Sequence, residues 1–230
     1  MSVSTPQSSA ADRLLDAALT HVPFDGWGDG VLTAAAADTG LDLALARAIC
    51  PRGGLDLALA YHRRGDARML EAMQDADLGA MRYRDRVVFA IRTRLEAADR
   101  ESVRRAAALM ALPQNAPEAA RAMWATADAI WTALGDTSED GNWYSKRAIL
   151  SAVYSATVLY WLGDRSDGDA DTWAFLDRRI EDVMRFEKTK AQIKASPVLR
   201  GVFGVPLKIM ETLRKPQGAG PMPGAWHRRR

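Results

Sequence analysis

The side chains best suited to nucleophilic or metal chemistry are few and scattered: one cysteine, Cys50, and three histidines, His21, His62 and His227, in 230 residues. A single cysteine closes no intramolecular disulfide and supplies no Cys-rich zinc site, and histidines this far apart argue against a His-rich centre. His21 ends a helical stretch, His62 stands beside Arg63 and Arg64, and His227 lies in the basic tail; these are positions for structural or solvated imidazoles. The chain has no phosphate-binding Gly-x-x-x-x-Gly-Lys, no Gly-x-Ser-x-Gly, no Cys-x-x-Cys and no Glu-x-x-His. The last absence matters most, because helical bundles build their usual di-iron centre from that motif on facing helices. The one glycine-rich run, Gly26-Trp27-Gly28-Asp29-Gly30, follows no strand pattern and lacks the dinucleotide-binding spacing, so it reads as a turn. Carboxylates are plentiful, yet no two stand out as an acid/base couple. The expectation is a protein without catalytic residues, without a metal and without a resident cofactor.

The elements that hold these residues read as helices throughout. Ala, Leu and Arg dominate, period-two alternation is absent, and no apolar run approaches a membrane span. Ser9 to Asp12 has capping-box spacing ahead of Leu14, Leu15, Ala18, Leu19 and Val22, and Pro23 is expected to close that first helix. Two short helices, Val31 to Asp38 and Asp42 to Ile49, flank Thr39-Gly40-Leu41, which is helix-turn-helix punctuation. A long helix begins at Gly54, and further helices are expected from Arg82 to Ala98, around Leu112-Pro113 and Pro117, through Met123 to Leu134, from Asn142 to Leu162 and from Asp169 to Lys194. Ala148 to Leu162 carries no charged side chain, which places it in the middle of the bundle or at a subunit interface. The segments expected are a disordered 1–10, a helix-turn-helix-like 11–53, a helical body 54–194, a basic amphipathic helix 195–215 and a disordered tail 216–230.

Charge divides the chain unevenly. Residues 1–184 hold 20 Lys and Arg against 27 Asp and Glu, a net of −7, whereas residues 185–230 hold 11 against 2, a net of +9. A basic tail on an acidic body points to phosphates, of nucleic acid or of lipid. Three short N-terminal helices before a longer helical body resemble the TetR regulator architecture, in which the third helix reads the DNA major groove. Leu41 to Ile49 offers that groove one arginine, Arg47, against Asp42, and phosphate contacts dominate DNA affinity, so a structural relic outweighs a working DNA reader.

The tail reads differently. Val198, Leu199, Val202, Phe203, Leu207, Ile209, Met210 and Leu213 form a helical stripe, with Arg200 and Lys208 beside it, which fits a helix lying in a membrane interface. Packing of this segment on the body or on a second subunit is the alternative, weakened by Gly204 and Pro206.

Four blocks remain: Leu109-Met110-Ala111-Leu112-Pro113-Gln114-Asn115-Ala116-Pro117, then Trp131, then Asp140-Gly141-Asn142-Trp143-Tyr144-Ser145-Lys146-Arg147-Ala148, then Asp171-Thr172-Trp173-Ala174-Phe175-Leu176. In order and spacing they resemble the Coq-nine family of ubiquinone biosynthesis. The resemblance implies an all-α, TetR-like fold, usually dimeric, that no longer binds DNA, holds an isoprenoid lipid, and is not an enzyme. It also implies docking on a di-iron hydroxylase, the Coq-seven protein, and an amphipathic last helix that engages the membrane. The family's partner-binding patch falls on Ile130, Trp131, Asp140, Asn142, Trp143, Tyr144 and Arg147, residue types that suit a binding hot spot. The alternative is a helix N-terminus capped by Asp140 with the aromatics tucked inward, and a mixture is open, with Trp143 inside and Tyr144 outside. For the lipid, the candidates are Met110, Leu112, Met123, Val158, Trp161 and Leu162, large apolar residues that serve equally well as plain core. With neither a secretory signal nor a transit peptide in evidence, the expected location is the cytoplasmic face of a bacterial inner membrane. A TetR-type regulator with an apolar ligand pocket is the competing reading.

Overall fold

The computed structural model describes residues 9–138 and 141–195, and among them every regular element is helical. The α-helices are α1 (Ala10–Asp25), α2 (Asp29–Thr39), α3 (Leu43–Ile49), α4 (Gly54–Asp75), α5 (Tyr83–Glu96), α6 (Arg100–Met110), α7 (Ala116–Ala133), α8 (Gly141–Gly163) and α9 (Ala170–Ala195). Short 3₁₀ turns at Leu78–Ala80, Pro113–Asn115 and Asp167–Asp169 join some of them. The amphipathic segment expected over 195–215 lies almost wholly outside the described residues, as does Asp140.

Two compact units emerge: residues up to Arg68 together with Ala97–Ala122, and residues Met69–Glu96 together with Met123 onward. The first is larger than the helix-turn-helix segment expected from sequence, and the body is correspondingly divided. Its extra helix, α6, is held by contacts of long sequence separation. Trp27 Nε1 donates to the Ser102 carbonyl at 3.0 Å, the Asp99 amide donates to Tyr61 Oη at 2.9 Å, and Arg105 donates to the Pro23 carbonyl at 3.1 Å.

Within this first unit the local chemistry of the sequence is visible. Ser9 caps α1 by accepting from the Asp12 amide at 3.1 Å, and its hydroxyl donates to the Asp12 carboxylate at 2.6 Å. Helix α1 runs through Pro23 to Asp25 and does not stop at the proline, because Gly26, at φ +70°, ends it with its amide bonded back to Val22. Asp42 caps α3 by accepting from the Ala44 and Leu45 amides at 2.8 and 3.2 Å. Gly40, at φ +65°, makes the left-handed turn between α2 and α3. Leu14, Leu15, Val22, Val31, Leu32 and Leu57 fill the core that these short helices enclose.

In the second unit α8 has two distinct faces. Leu150, Val153, Tyr154, Thr157 and Trp161 are buried, while Leu159 is 67% exposed and Tyr160 39% exposed. The absence of charge from Ala148 to Leu162 therefore does not bury every face of that stretch in the unit; small and apolar residues also occupy its open side, as a subunit interface would require. Helix α9 is anchored at its start by Asp164, which accepts from the amides of Ser166 and Thr172 and from both hydroxyls. These bonds, led by the Thr172 hydroxyl, hold the Asp164 carboxyl far below the usual carboxylate range. Tyr160 stacks on Phe175 with ring centroids 4.6 Å apart, tying α8 to α9.

Candidate functional site

The second unit contains an apolar cavity of about 340 Å³, at the small end of the range that takes ligands. Helices α5, α7, α8 and α9 wall it. Tyr83, Trp131 and Lys146 are neighbours in its lining: the Tyr83 and Trp131 rings stack with centroids 5.9 Å apart, and the Lys146 ammonium stands 5.6 Å over the Trp131 ring. The remaining wall is aliphatic, from Val87 on α5, Ile149, Leu150 and Val153 on α8, and Ile180, Val183 and Met184 on α9. Val153 is two turns along α8 from Lys146, which at the helical rise is roughly 10 Å. The cavity thus has a wall patch of polar-tipped side chains and an apolar remainder.

Behind the polar patch lies an ion network that closes the connection from α7 to α8. Lys146 Nζ donates to Asp136 Oδ1 at 2.7 Å and to Ser138 Oγ at 2.8 Å. Arg147 reaches Asp136 Oδ2 at 3.0 Å, Asp128 Oδ1 at 2.5 Å and the Trp143 carbonyl at 3.2 Å, with its guanidinium 4.1 Å over the Trp143 ring. The side chains of Arg147 and Asp136 are each only 2% exposed. Trp131 Nε1 donates to the Lys146 carbonyl at 3.0 Å, so the same stretch of α8 is also pinned to α7. Burial pushes the Asp136 carboxyl upward, but hydrogen bonds from Lys146, Ser138 and Arg147 outweigh it and bring it from 3.8 down to about 2. Burial, followed by the Asp136 charge, raises the Tyr83 phenol, against a smaller opposing pull from Arg86.

Because the folded Asp136 is the stronger acid, its contribution is fully present above the unfolded carboxyl's pKa near 4 and is lost as pH falls through about 2. The shift corresponds to about 2 kcal/mol. Across this window wild type should lose about that much more stability than Asp136→Asn, with Asp164 contributing to the acid loss of both. Urea titrations at stepped pH measure both slopes; parallel curves for the two proteins would mean the carboxylate is not held as described.

The candidate partner residues divide by exposure. Ile130, Trp131, Trp143 and Arg147 are buried within the unit, so they do not form an exposed Trp–Tyr–Arg cluster; of the alternatives left open, Trp143 lies inside. Asn142 and Tyr144 are half-buried. Tyr144 meets Trp143 edge-on at 4.8 Å and Trp124 at 6.3 Å. The buried Trp143 Nε1 has no hydrogen-bond partner. Trp124, half-buried on α7, packs 5.8 Å from Trp143 and completes an aromatic group that was not among the expected site residues.

None of the six lipid candidates lines this cavity. Met110 and Leu112 belong to the first unit, where Met110 packs on the core and Leu112 is 43% exposed. The carbonyl of half-buried Met123 accepts from Ser151 Oγ at 3.3 Å, Trp161 is buried with its Nε1 on Asp169 at 3.0 Å, and Val158 and Leu162 are half-buried. The lining of this cavity was partly visible as periodicity, because Val87, Ile180, Val183 and Met184 recur at helical spacing on α5 and α9. The Pro113–Asn115 turn serves structure: Asn115 is buried and its Nδ2 donates to the Leu109 carbonyl at 2.9 Å.

Among the described residues, no group of three or more His, Cys, Asp or Glu could hold a metal, and no helix is long and apolar enough to cross a membrane. The outward residues of α3 are Ala44, Leu45, Arg47 and Ala48, with one cation among them.

A family model described as COQ9 matches residues 116–187, which include α7, α8 and much of α9. The chain is 32% identical over 208 residues to the mitochondrial ubiquinone biosynthesis protein COQ9 of Rattus norvegicus, covering 86% of this chain and 66% of that protein. It belongs to the COQ9 family. Identity to the corresponding Homo sapiens protein is 31% over 208 residues, 86% of this chain and 65% of the other; to that of Drosophila melanogaster it is 33% over 186 residues, 78% and 57%. This COQ9-family chain thus spans just under two thirds, or less, of the length of these relatives. Among solved structures, a TetR transcriptional regulator from Nitrosomonas europaea is similar with a TM-score of 0.61 at 22% identity, covering 74% of this chain and 95% of that one. The fold is therefore TetR-like and all-α.

Proposed function

We propose that this COQ9-family chain is a non-enzymatic accessory protein of ubiquinone biosynthesis that holds an isoprenoid quinone precursor and presents it to a di-iron hydroxylase at a membrane surface. The observation that carries the reading is the cavity between α5, α7, α8 and α9, lined by seven aliphatic side chains with Tyr83, Trp131 and Lys146. Its relatives are named as ubiquinone biosynthesis proteins, which supports a precursor of that pathway as the occupant. The half-buried Tyr144 and Asn142 at the start of α8 are the family-patch residues whose exposure suits the hydroxylase contact. The outward face of α3, with Arg47 its one cation, supports accessory function over the TetR-type regulator. A homodimer follows from analogy with the fold, as an expectation.

Native mass spectrometry of the purified full chain, followed by lipid extraction, tests the proposal: a long-chain isoprenoid should co-purify at near one per chain. Recovery of an empty protein that binds duplex DNA in a salt-dependent manner would favour the regulator. For the membrane part, the chain should sediment with anionic vesicles, and Phe203→Asp should release most of it by removing an apolar anchor of the basic segment. Equal sedimentation of the two proteins would count against that segment as the anchor.

A further inference from the structure

The inference rests on the reading of the cavity as a ligand site and concerns which end of a ligand goes where. Tyr83 and Lys146 bring hydrogen-bond donors to one part of a wall that is otherwise aliphatic and that extends two helical turns along α8 to Val153. An ammonium has three donors. Asp136 and Ser138 engage two of those on Lys146, at 2.7 and 2.8 Å.

The charges around that ammonium are already matched. Lys146 and Arg147 face Asp136 and Asp128, two positive against two negative. An anionic head group would add a negative charge that Lys146 and Arg147 could balance only by weakening their hold on a buried carboxylate, which is costly. A neutral acceptor oxygen needs only the donors not yet engaged. The stacked rings of Tyr83 and Trp131 also supply a flat aromatic edge beside those donors.

We propose that the cavity is polarised: an uncharged ring bearing an acceptor oxygen lies at Tyr83, Trp131 and Lys146, bonded by the Tyr83 hydroxyl and the third Lys146 N–H, with its apolar chain directed along α8 toward Val153. Tyr83 and Lys146 then set specificity for the head, and the aliphatic wall accepts the chain without reading it. Tyr83 is 42% exposed, so it stands where the cavity meets solvent, and its phenol, protonated near neutral pH in any case and shifted further upward here, remains a donor.

Isothermal titration calorimetry with three probes on the full chain tests this: a decyl-substituted benzoquinone, decylbenzene and decanoate. The quinone should bind most tightly and decanoate most weakly. Tyr83→Phe should lower quinone affinity about fivefold, the equivalent of one net hydrogen bond, and leave decylbenzene unchanged. Lys146→Met should act in the same direction, with circular dichroism confirming the fold. Val153→Trp, which fills the chain end, should abolish binding of every probe. If Val153→Trp abolishes binding while Tyr83→Phe and Lys146→Met both bind quinone as wild type does, or if decanoate matches the quinone, the cavity stands and its polarity is overturned. If no probe binds the wild type, or Val153→Trp leaves binding intact, the cavity reading fails and the polarity falls with it.

Discussion

Replacing Arg147 with alanine should destabilise the chain by about 3–5 kcal/mol, the usual cost of removing one partner from a buried ion pair. The reason is the residue left behind. Asp136, itself 2% exposed, keeps Lys146 and Ser138 but loses the Arg147 bond at 3.0 Å. Asp128, 44% exposed on its side chain, can return to water at little cost. Trp143 loses the guanidinium 4.1 Å above its ring, worth up to about 2 kcal/mol when desolvated. Arg147→Met, which restores the aliphatic stem without the charge, should recover only the packing part. Arg147→Lys should also fall short, because an ammonium cannot reach Asp136, Asp128 and the Trp143 carbonyl at once. Urea unfolding followed by tryptophan fluorescence measures all three. A loss under about 1 kcal/mol for alanine would mean that the network is not the brace between α7 and α8. The same substitution should raise the Asp136 pKa by removing one of its three stabilising partners, so the acid limb of stability should begin at a higher pH.

How much of this was legible in the sequence follows from how far each feature depends on distant residues. The Ser9 cap on the Asp12 amide, the Gly40 turn and the Asp42 cap involve residues within four positions of each other, and each appears where local chemistry puts it. Pro23 misled because a proline removes one amide bond, whereas the helix ends at the nearby glycine with positive φ. Arg147 was hard to read for another reason. Arginine is rarely fully buried, and residue type suggested an exposed hot spot, while Asp128 and Asp136, the acids that permit its burial, lie 19 and 11 residues away across a turn. The cavity was the least legible feature. Its walls come from four helices whose apolar stripes look alike, and only their packing decides which stripe faces another side chain and which faces a void.

Gly54→Ala should cost more than about 3 kcal/mol, at the upper end of overpacking effects, although alanine is the better helix former by about 1 kcal/mol. The two effects oppose each other and geometry decides between them. A Cβ on Gly54 would lie 2.1 Å from the Trp27 carbonyl oxygen, 2.6 Å from its carbon and 2.7 Å from the Gly28 carbonyl oxygen. All three are backbone atoms, so no side-chain rotation relieves the contact. Trp27 cannot retreat without loss, because its ring is buried and its Nε1 is committed to the Ser102 carbonyl at 3.0 Å. The glycine therefore lets the start of α4 approach the turn that leads into α2, which fixes the helix-turn-helix portion of the first unit. Hydrogen exchange should show the largest gains in the amides of α2, α3 and the first turns of α4, and melting should confirm the loss. An alanine variant that melts as wild type does would refute this close approach. Probe binding in the α5, α7, α8 and α9 cavity by the variant, at a temperature where it remains folded, should be close to wild type, since none of the cavity's lining residues belongs to the first unit.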